Sequence, residues 1–114
     1  MLWDLGQRDR SGTISLWLVM KKYYFVYLMT NKTNTVIYCG MTSNLEARVY
    51  QHKTGTLGGF TKRYNVKKLV YYEVFETAYA AIVREKQIKG GSRQKKVELI
   101  RKDNPGWSDL NDQI

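Results

Sequence analysis

The stretch VIYCGMTSNLEARVYQHK, residues 36–53, changes its hydrophobic period halfway along. Its first part alternates in the manner of a β-strand, whereas Leu45 and His52 recur seven residues apart, as on one face of a helix. Ser43 and Glu46 form a capping box, so we expect a helix to begin near position 44. A strand that leads into a helix through so short a turn is the strongest constraint on the fold.

A second strand-like run, YYFVYLM, precedes this stretch, and the polar turn TNKTN separates it from TVIYCG. Two such runs joined by a short polar turn predict a β-hairpin. Alternation puts Tyr27 of the first strand on the same face as Tyr38 and Gly40 of the second, so the two tyrosines are predicted to face each other. Arg48 and His52 border the inward stripe of the helix and are predicted to point at this hairpin.

The rest of the chain predicts one more strand and two more helices. KKLVYYEVF is strand-like, and Thr77 can cap a helix that runs through AYAAIVREKQIK to Gly90 and Gly91. Ser92 can cap a basic helix, RQKKVELIRK, that ends before Pro105. This order of elements predicts an α+β fold, with a small, mainly antiparallel three-stranded sheet flanked by helices.

One carboxylate lies on a mostly apolar helix face. Glu85 shares that face with Ala81, Ile82 and Ile88. A carboxylate beside an apolar stripe needs a partner. An ion pair with Lys89, four residues further on, is its structural interpretation.

The charge is unevenly placed along the chain. The 114 residues carry a formal net charge of +9, yet the first 20 contain two acidic and two basic residues and sum to zero. A small domain this basic is typical of one that meets nucleic acid, an anionic membrane surface or an acidic protein. Residues 21–114 are interpreted as one domain, and residues 1–20 as an extension that is disordered or an annotation artefact, with an added strand at 13–19 as the alternative.

Cysteine usage points to a reducing compartment, the cytoplasm. A single cysteine, Cys39, allows no internal disulfide, and with the chain's one His it cannot supply the ligands of a usual zinc site. Cys39 follows Tyr38 in its strand, so it is predicted to face the opposite side of the sheet. The apolar run SLWLV is too short for a membrane span, and no membrane association is expected.

Five stretches, taken in order, are similar to those of a known family. They are YYFVYLM, IYCGMTSNLEARVYQHK, GGFTKRYNVKKLVYYEVF, AIVREKQIKGGSRQKKVELI and NPGW. Together they resemble the small single-domain members of the GIY-YIG nuclease superfamily. FVY stands where GIY would, and YCG where YIG would, so both tyrosines and the glycine remain. The resemblance implies a GIY-YIG-like nuclease domain that hydrolyses phosphodiester bonds with one divalent metal ion, Mg²⁺ or Mn²⁺. The expected substrate is nucleic acid, DNA rather than RNA, in repair or recombination.

The resemblance also implies roles for five side chains. Tyr27 or Tyr38 orients or deprotonates the attacking water, Arg48 faces the phosphate, and Glu85 carries the metal ion. Which tyrosine is the base stays open, and His52 is a candidate second base or phosphate donor.

Substrate contacts are predicted at backbone and basic positions. Gly40 would let a backbone approach closely, and Asn104 loosely matches an Asn of the family. The basic candidates lie in the glycine-rich loop and the last two helices: Lys62, Arg63, Lys86, Lys89, Arg93, Lys95 and Lys96. Contacts of this kind position a phosphate backbone without reading its sequence.

Structural interpretations compete with these roles. Tyr27 and Tyr38 can be core residues, and Arg48 can pair with Glu46 or Glu73. For the whole chain, the alternatives to a nuclease are an inactive nucleic-acid-binding module with the same fold and a protein-interaction module with a basic face.

Overall fold

The computed structural model describes residues 21–114, which form a three-stranded antiparallel sheet with helices on both faces. The strands are β1 (Tyr24–Thr30), β2 (Ile37–Thr42) and β3 (Lys68–Phe75). Their order is β2-β1-β3, so β1 is central and β2 lies at an edge. The predicted α+β class and antiparallel sheet are confirmed.

Within residues 21–114, four helices and a final helical turn surround the sheet. They are α1 (Leu45–Thr54), α2 (Gly59–Arg63), α3 (Ala78–Gly90) and α4 (Arg93–Asp103), followed by a 3₁₀ helix at Leu110–Gln113. The sequence patterns did not predict α2, which is five residues long and lies inside the glycine-rich loop, nor the 3₁₀ helix.

Two of the three predicted helix caps are confirmed. The Thr77 and Ser92 side chains accept hydrogen bonds from the first turns of α3 and α4, each at 3.2 Å. The capping box at Ser43 is wrong, because Asn44 is the cap and its side chain accepts the Ala47 N–H at 3.1 Å. The Thr42 hydroxyl accepts the Asn44 N–H at 3.1 Å. That bond holds Asn44 extended at the entrance to α1.

The sheet divides the apolar residues into two clusters. On one face Tyr27 and Met29 pack with Leu45 and Val49 of α1. On the other face β1 and β3 pack with side chains of α3 and α4, and Cys39 belongs to this second cluster, as predicted. The core consists of both clusters, one on each side of β1.

The predicted inward face of α3 is wrong at one position. Ala81 and Ile88 are buried, but Ile82 is 41% exposed. One residue further along a helix is a rotation of about 100°, so Ile82 lies outside the narrow stripe that Ala81 and Ile88 define.

None of the helices within residues 21–114 is both long and apolar enough to cross a membrane. The predictions for residues 1–20, a disordered or artefactual extension or an added strand at 13–19, fall outside the described residues.

Candidate active site

The α1 face of the sheet contains a cluster of two tyrosines and the histidine. The ring centroid of Tyr27 lies 6.3 Å from that of Tyr38 and 5.7 Å from that of His52, and Tyr38 lies 5.4 Å from His52. The two tyrosines do not face each other directly, because Tyr27 pairs with Gly40 and Tyr38 pairs with Met29. They are diagonal neighbours on one face, close enough for rings to touch.

Tyr27 forms the buried floor of this cluster. Its side chain has no exposed surface, and its hydroxyl oxygen lies 3.0 Å from Nε2 of His52. Burial, together with the nearby Tyr38, raises the pKa of Tyr27 well above its usual value, although the Arg48 charge acts in the opposite direction. Tyr27 therefore stays a neutral phenol near neutral pH.

Gly40 makes room for that ring. A Cβ placed at Gly40 would lie 2.5 Å from Cζ of Tyr27, a distance that real Cβ atoms do not reach. The glycine is accounted for by the tyrosine that crosses it. A contact between Gly40 and substrate stays a prediction.

His52 is almost entirely enclosed, with 1% of its surface exposed. Burial, and after it the positive charge of Arg48, lowers the pKa of His52 to about 4. The ring is thus neutral near pH 7 and a weak base. Among the described residues nothing hydrogen-bonds its Nδ1, so one ring nitrogen is buried without a partner.

Two tautomers of His52 fit this geometry. If Nε2 carries the proton, it donates to the Tyr27 oxygen, and Nδ1 is a bare acceptor. If Nδ1 carries the proton, the Tyr27 hydroxyl donates to Nε2 instead. In both cases Tyr27 and His52 form one hydrogen-bonded unit inside the protein.

Tyr38 and Arg48 lie nearer the surface. Both side chains are half-buried, Tyr38 on the edge strand and Arg48 one helical turn before His52. Arg48 has no ion pair with Glu73, which is bound by both the Nε and an Nη atom of Arg84 at 2.9 Å. The guanidinium of Arg48 acts electrostatically on both Tyr27 and His52.

An ion-pair network that the sequence patterns missed holds β3 to α3. Glu73 accepts hydrogen bonds from Arg84 and from the Tyr71 hydroxyl. Although burial opposes ionisation, these bonds lower the pKa of Glu73, while burial and Glu73 raise that of Tyr71. A bidentate Arg–carboxylate pair of this kind fixes geometry as well as charge.

Glu85 approaches the site from the other side of the sheet. It projects from α3, and its charge helps burial to raise the pKa of Cys39, the neighbour of Tyr38 on β2, to about 11. One carboxylate oxygen lies 3.3 Å from Nζ of Lys89, as the structural interpretation expected, and 20% of the side chain is exposed. The structure thus groups Tyr27, Tyr38, His52 and Arg48 on one face of the sheet and places Glu85 on α3, which packs on the other face.

The donor set limits which metal ion this chain can hold. Within residues 21–114 no group of three or more His, Cys, Asp or Glu side chains could hold a metal ion. Cys39 is buried with a raised pKa, and Nε2 of His52 is bonded to Tyr27. Among the predicted site residues, Glu85 supplies the one carboxylate, which fits Mg²⁺ or Mn²⁺ completed by waters and substrate phosphate, provided that Lys89 releases it.

The predicted basic residues fall into four places. Lys62 and Arg63 are exposed on α2, and Lys86 and Lys89 are exposed on α3. A groove of about 370 Å³ between α3 and α4 is lined by Arg84, Lys95, Lys96 and Lys102, among others. The Arg93 guanidinium instead donates to the Asn34 and Thr35 carbonyls at 2.8 and 3.0 Å, so it fastens α4 to the hairpin turn.

Asn104 has a structural task. It is buried, and its amide nitrogen donates to the Val70 and Ser108 carbonyls at 3.1 and 2.9 Å. Its amide oxygen accepts the Ser108 N–H at 3.1 Å. These bonds hold the C-terminal turn against β3, and contact with substrate stays a prediction.

The comparisons with known proteins agree with this fold. The family model of the GIY-YIG catalytic domain matches residues 23–98. The chain therefore belongs to the GIY-YIG domain family, a nuclease family whose members generally depend on a divalent metal ion.

Within that family its relatives are UPF0213 proteins. The chain is 41% identical to a UPF0213 protein of Staphylococcus haemolyticus over 81 residues, which is 71% of this chain and 96% of the relative. It is 35% identical to one from Haloquadratum walsbyi, over 70% of this chain and 89% of the relative. The solution structure of a UPF0213 protein from Bacillus halodurans has the same fold, with a TM-score of 0.50 at 24% identity, over 77% of this chain and 93% of that one.

Proposed function

We propose that this chain is a metal-dependent endonuclease that hydrolyses phosphodiester bonds in DNA, acting in the cytoplasm in repair or recombination. The observation that carries the proposal is the cluster of Tyr27, Tyr38 and His52, with Arg48 one helical turn before His52, in a chain whose described part is strongly basic. Hydrolysis of a phosphodiester needs an oriented water and positive charge facing the phosphate, and these side chains match those needs.

Tyr38 is the tyrosine that we assign to the attacking water. Tyr27 is fully buried and bonded to His52, so it is poorly placed to reach a surface water. Its raised pKa also keeps it protonated near neutral pH, so it has no free site for the proton of that water. Tyr38 is only half-buried, lies on the edge strand, and can meet solvent and substrate. Its hydroxyl oxygen can accept a hydrogen bond from water and orient its attack on phosphorus.

Tyr27 and His52 are then positioning residues. Tyr27 is fixed by its hydrogen bond to His52 and by its packing over Gly40. The Tyr38 ring packs against the His52 ring, so this pair fixes the position of Tyr38. With a pKa of about 4, His52 is a weak base near neutral pH, which argues against a role as the principal base. Arg48 faces the phosphate and stabilises the negative charge that develops on its oxygens.

Glu85 would hold the metal ion. A bound divalent ion supplies charge neutralisation on the phosphate and stabilises the leaving oxygen. Because β2 is the edge strand of the sheet that residues 21–114 form, a nucleic acid crossing this edge could meet Tyr38 from one face and Glu85 from the other. Lys89, Lys95 and Lys96 lie on the helices of the Glu85 side and would hold the flanking phosphates.

One observation favours a second function, an inactive nucleic-acid-binding module. Lys89 lies 3.3 Å from the carboxylate of Glu85 and competes with a metal ion for it. The two functions separate in one experiment. Labelled single-stranded, duplex, flapped and branched DNA and RNA are incubated with Mg²⁺, Mn²⁺ or a chelator.

Cleavage of DNA that needs the metal ion and that is lost in Tyr38→Phe supports the nuclease. Retention of the substrates on the protein without cleavage under every metal condition supports the binding module. Cleavage of RNA alone would contradict the proposed DNA substrate.

A further inference from the structure

Two large aromatic side chains are exposed beside the candidate active site. Phe60, within α2, is 51% exposed, and Tyr64, which directly follows α2, is 42% exposed. Large aromatic side chains that are exposed next to a candidate active site indicate a contact surface.

The helix that carries Phe60 begins with two glycines in backbone conformations that other residues rarely adopt. Gly58 and Gly59 begin α2 with φ of +69° and +62°, backbone angles that side chains rarely adopt. A Cβ at either position would meet nothing within 4 Å. The two glycines are therefore required by the backbone conformation and not by lack of space for a side chain.

The two rings continue the active-site cluster outward. Phe60 is stacked on Tyr38, with centroids 6.4 Å apart and planes inclined by 27°. Tyr64 lies 4.8 Å from Phe60, and the Arg63 guanidinium lies over the Tyr64 ring at 5.5 Å from its centroid. A ladder of rings thus leads from the buried Tyr27 through Tyr38 to solvent.

The charge beside the ladder selects the kind of ligand. Lys62 and Arg63 are exposed on the same short helix. Flat apolar rings flanked by cations match a nucleobase with its phosphate, because every base has a stackable face and every link carries a negative charge.

We propose that Phe60 and Tyr64 form a base-stacking subsite that receives the nucleobase next to the phosphate at Tyr38. This rests on the proposed function for the position of the phosphate. In an intact duplex both faces of each base are covered by neighbouring bases. The subsite therefore requires an unstacked base, from a single strand, a frayed end or a base turned out of a duplex.

The experiment measures binding with chelator present, so that it does not depend on cleavage. Fluorescence anisotropy compares four labelled DNAs: a single strand, the same strand with abasic sites, a blunt duplex, and a duplex with one unpaired base. Phe60→Ala should weaken binding of the single strand about fivefold to a hundredfold. It should change binding of the abasic strand little.

Variants separate stacking from charge and from folding. Phe60→Trp should retain binding, and Phe60→Leu, which keeps apolar volume without the ring, should lose it. Lys62→Ala should reduce the salt dependence of binding by about one phosphate contact, whereas Phe60→Ala should leave that dependence unchanged. Tyr79→Ala is the matched control, since Tyr79 is 78% exposed but lies on α3, on the other side of the sheet.

The duplex arms identify the source of the base. Tighter binding of the bulged than of the blunt duplex, lost in Phe60→Ala, supports a base turned out of a duplex. Preference for the single strand alone supports unpaired strands.

Three outcomes overturn the proposal: parent-like binding by Phe60→Ala, equal loss on the abasic strand, or no binding of any strand by the parent protein. Base-dependent binding without cleavage in Mg²⁺ would refute the proposed nuclease and leave the subsite standing.

Discussion

The folded protein should lose stability on mild acidification because of one buried histidine. His52 is 1% exposed, and its pKa is lowered from 6.5 to about 4, by burial first and by Arg48 second. Between these two values the unfolded chain binds a proton that the folded chain excludes. Stability is therefore fully present above the unfolded pKa and falls as the pH drops from about 6.5 towards 4.

The size of this effect follows from the two pKa values. Linkage gives a loss of about 2 kcal/mol between pH 7 and pH 5, equivalent to a fall of roughly 10 °C in Tm for a domain of this size. His52 is the chain's only histidine, so no other imidazole titrates in this window. The pKa values of Glu73 and Asp109 are lowered, so these carboxylates lose their partners only in more acid solution.

Urea unfolding followed by circular dichroism at pH 7, 6 and 5 measures the effect. His52→Gln is the control, because it removes the imidazole and keeps an amide that can bond the Tyr27 hydroxyl. Its stability should be nearly constant across this range. A flat profile in the parent protein, or an equal slope in the variant, would refute the assignment of His52 as a buried neutral base.

Three further changes test the site. Gly40→Ala should destabilise the protein by about 1–3 kcal/mol in urea unfolding, because the added Cβ would overlap the Tyr27 ring. The loss of stability should be smaller in a Tyr27→Leu background. An unchanged unfolding midpoint would contradict the close packing of Tyr27 on Gly40. Tyr38→Phe should slow single-turnover cleavage on the order of a hundredfold with little loss of stability, whereas Cys39→Ala, on the opposite face, should cleave like the parent; equal rates for both would remove Tyr38 from the chemistry. Glu85→Gln should abolish metal-dependent cleavage and retain most DNA affinity in anisotropy, and metal-dependent cleavage by that variant would exclude Glu85 as the metal ligand.

The strands and most helices could be predicted because each has a local signal. Period-2 runs marked β1, β2 and β3, and single hydroxyl side chains at Thr77 and Ser92 marked the starts of α3 and α4. The placement of Cys39 away from the tyrosines followed from alternation alone. These features depend on neighbours within a few residues along the chain.

The register of the hairpin depends on its turn, which sequence periodicity does not describe. The Asn31 side chain accepts the N–H groups of Thr35 and Val36 at 2.9 and 3.0 Å, and Asn34 adopts a φ of +60°. This turn delays β2 until Ile37. As a result Tyr27 lies opposite Gly40, and Tyr38 becomes its diagonal neighbour.

The partners of the remaining site residues depend on contacts between helices and strands that are distant in sequence. Glu73 was a candidate partner of Arg48, but β3 and α3 bring it to Arg84, and nothing local to either residue announces that pair. The glycine-rich loop looked irregular, yet its GFTKR segment forms α2 and places Phe60 on Tyr38. The family motif could therefore suggest candidate side chains, but not their surroundings. Only the packing of the sheet and helices shows that Tyr27 and His52 are enclosed while Tyr38 and Arg48 reach the surface. This difference in burial is the reason for proposing Tyr27 and His52 as positioning residues, and Tyr38 and Arg48 as the residues that meet a substrate.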